Sequence, residues 1–331
     1  MITSKKIAFC KKIVILICII PRKQPFTKML FRDKITQIFY DFDEYLKNNY
    51  PDVDKEFSLT NQSKMSLSEM ASIEIGYHQS KYKCFKFYYQ EQILINLKSY
   101  FPNAISYERF VTLKNRLQPY LEPFMRATRL SKPTDANYID ASKLEVCHLM
   151  RVPSHKVFKG QAKYGRTIMG RFFGFKFHLI INHLGQIVDV FISTGNVADN
   201  NKDLLRKITE NFWGLLIGDK GYITSINKEL ENNGVHLVTK VRKNMIPVKY
   251  PPRVEYYKKH RGLVETSIDL LKNKANIQHT RHRSTINFEV NIWATMIAYS
   301  YNDKLPSIKT FKHRIKPLTP IQNQMQISIA A

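Results

Sequence analysis

The sequence predicts an α/β protein: a mixed five-stranded sheet flanked by helices, preceded by a small all-helical domain. Three observations predict it. Between residues 29 and 130 apolar side chains recur at helical spacing, from Tyr138 onward short alternating or continuous apolar runs are separated by helical stretches, and a polar linker, Leu130 to Asn137, divides the two patterns. A chain of 331 residues is long enough to bury a substantial core.

In the first region, Ile35, Ile38, Phe39, Phe42, Tyr45 and Leu46 recur at helical spacing and predict an amphipathic helix over Leu30 to Leu46. Asn48 to Lys64 is polar, contains Pro51 and is expected to be a connector. Ser66-Leu-Ser-Glu69 has the spacing of a capping box, in which a hydroxyl and a carboxylate satisfy each other's backbone donors and start a helix. Helical periodicity then continues with breaks through Tyr82 to Leu97, and resumes over Tyr107 to Met125. Cations and aromatics are interleaved here (Lys81, Tyr82, Lys83, Lys86, Tyr88, Tyr89, Lys98, Arg109, Lys114, Arg116), a pattern that serves either a DNA grip or an aromatic core beneath solvated lysines.

The second region begins with a strand at Tyr138-Ile-Asp-Ala-Ser142. Phe173 to Asn182 and Ile187 to Thr194 are predicted to form a hairpin across the turn Asn182-His-Leu-Gly185. A helix over Asp199 to Ile208, a fourth strand at Leu215 to Ile217, a helix over Thr224 to Asn232 stopping at Gly234, a fifth strand over His236 to Val241 and a long helix over Arg261 to Lys274 complete the order. Three antiparallel strands extended by crossover strands is the topology of the RNase H-like fold.

Composition narrows the partner. The 52 Lys and Arg against 27 Asp and Glu leave a net charge of +25 and a pI near 9.8. Such an excess repels itself unless a polyanion is the working partner, and nucleic acid is the most common one. Four cysteines lie far apart with no Cys-x-x-Cys pair, which points away from a zinc ribbon or disulfide framework and toward a reducing, intracellular setting. The apolar run Ile13 to Ile20 holds eight residues, too short for a bilayer that takes roughly 20. Residues 1–28 are therefore expected to be an extension or tail ahead of Met29.

The chemistry is expected around Leu215-Leu-Ile-Gly-Asp-Lys-Gly-Tyr222. A continuous apolar strand stops at Asp219, bracketed by Gly218 and Gly221, at the strand end where open α/β sheets place their sites. Asp140 lies on the first strand and Glu265 on the last helix, where topology allows all three acids to converge. Three carboxylates around one point repel unless cations sit between them, and oxygen donors of this kind suit Mg²⁺ or Mn²⁺. Two such ions, about 3.5–4 Å apart, stabilise the attacking and leaving oxygens of phosphodiester exchange. On the last helix Val264, Ile268, Leu271 and Ala275 form an apolar stripe, and Arg261, Glu265 and Lys272 form a second stripe beside it. By itself, that second stripe could equally be an ordinary surface ion pair.

Together, Asp140 in Tyr-Ile-Asp-Ala-Ser, Gly174-Phe-Lys-Phe-His178, Thr194-Gly-Asn-Val-Ala-Asp199, Gly218-Asp-Lys-Gly-Tyr222 and Arg261-Gly-Leu-Val-Glu265 with Lys272 resemble the motifs of bacterial insertion-sequence transposases of the DDE class. The resemblance covers about residues 30 to 303, including Phe101-Pro102 and Ser106-Tyr-Glu-Arg-Phe110. It implies Asp140, Asp219 and Glu265 as the catalytic, metal-holding triad, two Mg²⁺ (or Mn²⁺) ions as cofactor, and cleavage at terminal inverted repeats followed by 3′-hydroxyl attack on target DNA. It further implies a homodimer on double-stranded DNA and a bacterial cytoplasmic, nucleoid-associated location, with neither a membrane nor a small-molecule substrate involved. Many relatives carry a Tyr three residues before the Arg; this chain has Lys258 there, and Tyr257, one position off, is not assigned that role.

The organisation expected is an extension (1–28), a helical DNA-binding domain (29–132), the catalytic domain (133–303) and a basic tail (304–331). Backbone contacts to DNA are expected from Lys176, Lys220, Lys240, Arg242, Lys243, Arg261, Lys272, Arg281 and Arg283. His178 is a further candidate, being equally readable as a core histidine. Three rivals remain open: an inactive remnant that binds DNA, a metal nuclease that does not transpose, and a basic membrane-associated protein.

Overall fold

The computed structural model describes residues 29–311 apart from 62, 169, 242–243, 246–247 and 280–281. The expected extension 1–28, most of the basic tail, Arg242, Lys243 and Arg281 lie outside the described residues. Among the described residues no helix is long and apolar enough to cross a membrane.

The chain starts with helix α1 (Phe31–Asn49), which buries Ile35, Ile38, Phe42 and Leu46 on one side, as the spacing requires. The expected connector is instead partly helical: α2 (Val53–Asn61) forms because Val53 and Phe57, one turn apart, reach the core. Ser66 and Glu69 make the expected capping box at the head of α3 (Leu67–Gln79). That helix is buried on every side from Leu67 to His78, with Glu74 compensated by Lys114 at 2.9 Å. The basic and aromatic stretch forms a helical turn, Phe85–Phe87, running into a π-helix, Tyr88–Asn96. Its two interpretations divide residue by residue: Tyr88 and Tyr89 are core, while Lys81, Lys86, Lys98, Arg109 and Arg116 are exposed.

A six-stranded mixed sheet follows. Its strands are β1 (Asn137–Cys147), β2 (Lys163–Thr167), β3 (Gly170–Asn182), β4 (Ile187–Thr194), β5 (Gly214–Gly218) and β6 (Val235–Thr239). β3 pairs antiparallel with β1 and β4, and β1, β5 and β6 run parallel, giving the spatial order β4-β3-β1-β5-β6. This is the expected RNase H-like order, with one strand more than the five predicted. The addition, β2, pairs with the first residues of β3 (Gly170 to Gly174), just before β4 begins its pairing at Phe175.

Two cores sandwich the sheet. The smaller joins Ile139, Ile180 and Leu216 to helices Lys202–Ile208 and Asn227–Asn232. The larger joins Tyr138, Phe177, Leu179 and Ile217 on the other face to α1, α3 and the last helix, Thr285–Ser300. The sequence pattern predicts no element in that last stretch. Its residues Val290 to Tyr299 are all buried, so it shows no apolar stripe for periodicity to detect.

Candidate active site

The register of the sheet brings the first two acids together. β1 and β5 pair in parallel at Asn137 with Leu216 and Tyr138 with Ile217, and two residues beyond the last pair on each strand stand Asp140 and Asp219. Gly218 is required by a close approach: a Cβ there would sit 3.1 Å from the Tyr222 ring and 3.2 Å from Ile139. The strand therefore ends tightly against its neighbour, and Asp219 opens a single turn of 3₁₀ helix, Lys220–Tyr222, in which the Tyr222 N–H donates to the Asp219 carbonyl at 2.9 Å.

Glu265 comes from helix Gly262–Asp269, whose buried Val264 and Ile268 lie against the large core. The expected apolar stripe is thus buried, with Leu271 and Ala275 completing it. From Leu270 to Lys274 the helix widens to a π-helix, so Lys272 leaves the line of Arg261 and Glu265. It sits near Lys143 and Glu145 on β1, and burial, with Lys143 adding to it, lowers its pKa.

Arg261 occupies the centre. One guanidinium nitrogen lies 2.8 Å from Glu265 and another 3.9 Å from Asp219. Asp140 faces the same charges. Burial pushes its pKa up to about 6; a hydrogen bond from the Ala141 N–H at 2.9 Å and the Arg261 charge oppose the rise, and Glu265 and Asp199 add to it. Two of the acids thus contact one cation and the third feels its charge, and carboxylate oxygens are the donors a hard divalent ion takes. Among the described residues no three His, Cys, Asp or Glu side chains are gathered closely enough to hold a metal as they stand. The guanidinium lies between Asp219 and Glu265, and its positive charge offsets their mutual repulsion.

Behind this group runs a chain of buried polar contacts. Lys176 does not point outward: its ammonium donates to Asp199 at 3.0 Å and to the Val197 carbonyl at 2.9 Å. His178 is fully buried and corrects the expectation that it meets DNA. Burial holds its pKa down to about 4, so it is neutral, with Nε2 3.0 Å from Ser193 Oγ and Nδ1 3.4 Å from Tyr222 OH. Tyr222 is kept protonated by burial first and then by Asp199, Asp140 and Asp219. Ser193 and Tyr222 were not singled out as supports by the sequence. The Gly-Asp-Lys-Gly-Tyr motif could have flagged Tyr222; Ser193 carries no sequence signal.

Lys220 and Lys240 are exposed, and Lys220 adjoins Asp219. Arg283 is exposed as well, near Tyr107 of the helical region. Tyr257 is buried and bonds its hydroxyl to Asp135 at 3.3 Å, a packing role, while Lys258 turns to Glu255 at 3.4 Å.

Residues 130–285, just under half of the chain, match the family described as Transposase DDE domain. No curated protein matches the chain.

Proposed function

We propose, from the match of residues 130–285 to a transposase DDE domain, that the chain cuts the ends of a DNA element and joins the freed 3′ ends to target DNA, with Asp140, Asp219 and Glu265 as the catalytic acids. The observation that supports this most is the placement of Arg261, within 4 Å of Asp219 and Glu265 and close enough to Asp140 to act on its charge. Three acids from a strand, a strand end and a helix, more than 100 residues apart in sequence at their extremes, address a single positive centre.

In this proposal the three carboxylates hold Mg²⁺ or Mn²⁺. Bound there, the ions lower the pKa of a water and neutralise charge on the phosphate. The remaining work belongs to side chains. The Ala141 N–H holds one oxygen of Asp140 and leaves the other free to ligate. Arg261 has the planar fork that binds two phosphate oxygens at once, and exposed Lys220 lies at the mouth to meet the next phosphate. Lys176 neutralises Asp199, so a fourth acid beside the site adds less repulsion to an incoming backbone. The helical region 29–132, with its exposed Lys81, Lys86, Lys98 and Arg116, is proposed as a DNA-binding part and residues 133–303 as the catalytic part.

The experiment is incubation of the full chain with DNA carrying the element's own termini, with Mn²⁺ or Mg²⁺. The expected result is nicked and then joined products, both absent for Asp219→Ala. Cut products without joined ones would make the chain a nuclease, and no cutting by the wild type would make it a remnant that binds only.

A further inference from the structure

From Val146 to Val188 the chain has no Asp or Glu and seven Lys or Arg. Much of that charge collects on the β2–β3 hairpin, the strand pair the five-strand prediction lacks. Lys163, Tyr164, Arg166 and Arg171 are all exposed on it. Arg166 and Arg171 stand directly opposite each other in the antiparallel register. Like charges at facing positions destabilise a strand pair, and acids are the usual remedy. Here none is supplied: among the described residues, neither arginine nor Lys163 makes an ion pair, whereas Arg126, Arg206, Arg253 and Arg261 each have an acidic partner.

The hairpin is fixed in place and faces the site. Gly165 packs so tightly on the turn after β4 that a Cβ would stand 2.3 Å from the Gly195 carbonyl oxygen. Between hairpin and turn runs an open groove of about 790 Å³, lined by Tyr164, Arg166, Arg171, Lys176, Asp199 and Gly221 among others. Gly221 is two residues from Asp219, so the groove leads to the proposed catalytic acids. The acid lining it, Asp199, is already bonded to Lys176 at 3.0 Å. A channel walled by two facing, unneutralised guanidinium groups fits a polyanion whose charges repeat along a line.

We propose that the β2–β3 hairpin is a DNA clamp: Arg166 and Arg171 bind successive phosphates of the duplex flanking the bond to be cut, with the Tyr164 ring against the sugar edge. This rests on the proposed function, since it assigns part of that substrate. Phosphates paired with the two arginines offset their mutual repulsion, so binding and hairpin order reinforce each other.

The test measures binding of full-chain protein to a labelled mixed-sequence DNA duplex across a series of salt concentrations. Each phosphate contact contributes roughly 0.9 to the slope of log affinity against log salt. The double variant Arg166→Ala/Arg171→Ala is expected to lower that slope by about 2, and Arg166→Lys/Arg171→Lys to restore most of it. The single variant Arg171→Glu separates binding from folding: it faces Arg166 with an acid, so its melting temperature should not fall while its DNA affinity does. An unchanged slope for the alanine pair, or wild-type affinity for Arg171→Glu, overturns the clamp. If the wild type cuts DNA and the arginine variants bind like it, the clamp alone fails. If the wild type shows no salt-dependent binding, the DNA-acting reading fails and the clamp falls with it.

Discussion

The two faces of the sheet are built differently, and the three acids proposed as catalytic hang between them. One face is covered by the large core, in which α1, α3 and the Thr285–Ser300 helix pack against Tyr138, Phe177 and Ile217. The other carries a small core with two helices of seven and six residues. Glu265 is held from the large side, through Val264 and Ile268, and the Asp219 turn from the small side, through Tyr222. Asp140 lies on the strand they share. One acid is thus mounted on the most heavily packed part of the molecule and one on a lightly packed part, where openings cost less free energy. Loss of the site and loss of the fold therefore need not coincide.

The sharpest way to separate site from fold is Glu265→Gln. It keeps the side chain's shape and removes its charge, so DNA cleavage with Mn²⁺ should fall by about 10³-fold, the scale of losing a group that stabilises transition-state charge. The melting temperature should stay near the wild-type value, because Glu265 is exposed and the i,i+4 pair it makes with half-buried Arg261 is worth only a few tenths of a kcal/mol.

The two cores are compared directly by Phe177→Ala and Leu230→Ala. Phe177 is fully buried in the large core, and truncation should cost about 3–5 kcal/mol with hydrogen-exchange protection falling across the whole sheet. Leu230 is buried in the small core, and truncation should cost about 2–3 kcal/mol with faster exchange confined to β5, β6 and the Asn227–Asn232 helix. Equal loss of protection on both sides would show that the two cores open together.

Asp140→Asn should stabilise the metal-free protein while abolishing activity. Its folded pKa is raised to about 6 from 3.8, so the penalty for ionising it in place is fully present above pH 6 and disappears as pH falls below 3.8. Equilibrium unfolding at neutral pH should show a gain on the order of 2 kcal/mol, and unfolding near pH 4 much less.

The smallest effect tests the small core's buried histidine. His178 is lowered to about 4 from 6.5, so the unfolded chain takes up a proton first as pH falls. The stability is therefore complete above 6.5 and lost on the way down to 4. Between about pH 6.5 and 5.5 His178→Gln should remove roughly 1 kcal/mol of the acid-induced loss seen in the wild type by denaturant titration.

Much of this was legible in local pattern. The Ser66–Glu69 box, the Ile187 to Thr194 strand and the apolar stripe from Val264 to Ala275 were found from spacing because each is a short-range rule with one buried side. Three things escaped. The Thr285–Ser300 helix is buried on all sides from Val290 to Tyr299, and a fully enclosed stretch shows no apolar stripe. The β2 strand, Lys-Tyr-Gly-Arg-Thr, is short and polar, held by its pairing with β3. His178 and Lys176 share one side of a strand that is polar in sequence and covered in space, so alternation suggested an outward surface where there is an interior one.

Composition and periodicity, which neighbours along the chain set, were enough for the charge, for the order of most strands and helices, and for the choice of candidate acids. That Arg261 sits beside those acids, that His178 is shut in and neutral, and that Arg166 faces Arg171 without an acid between them came from long-range packing alone. Those outcomes depend on which strands lie side by side and in what register, and pairing across long sequence separations is fixed by packing of the whole core rather than by any local run of residues.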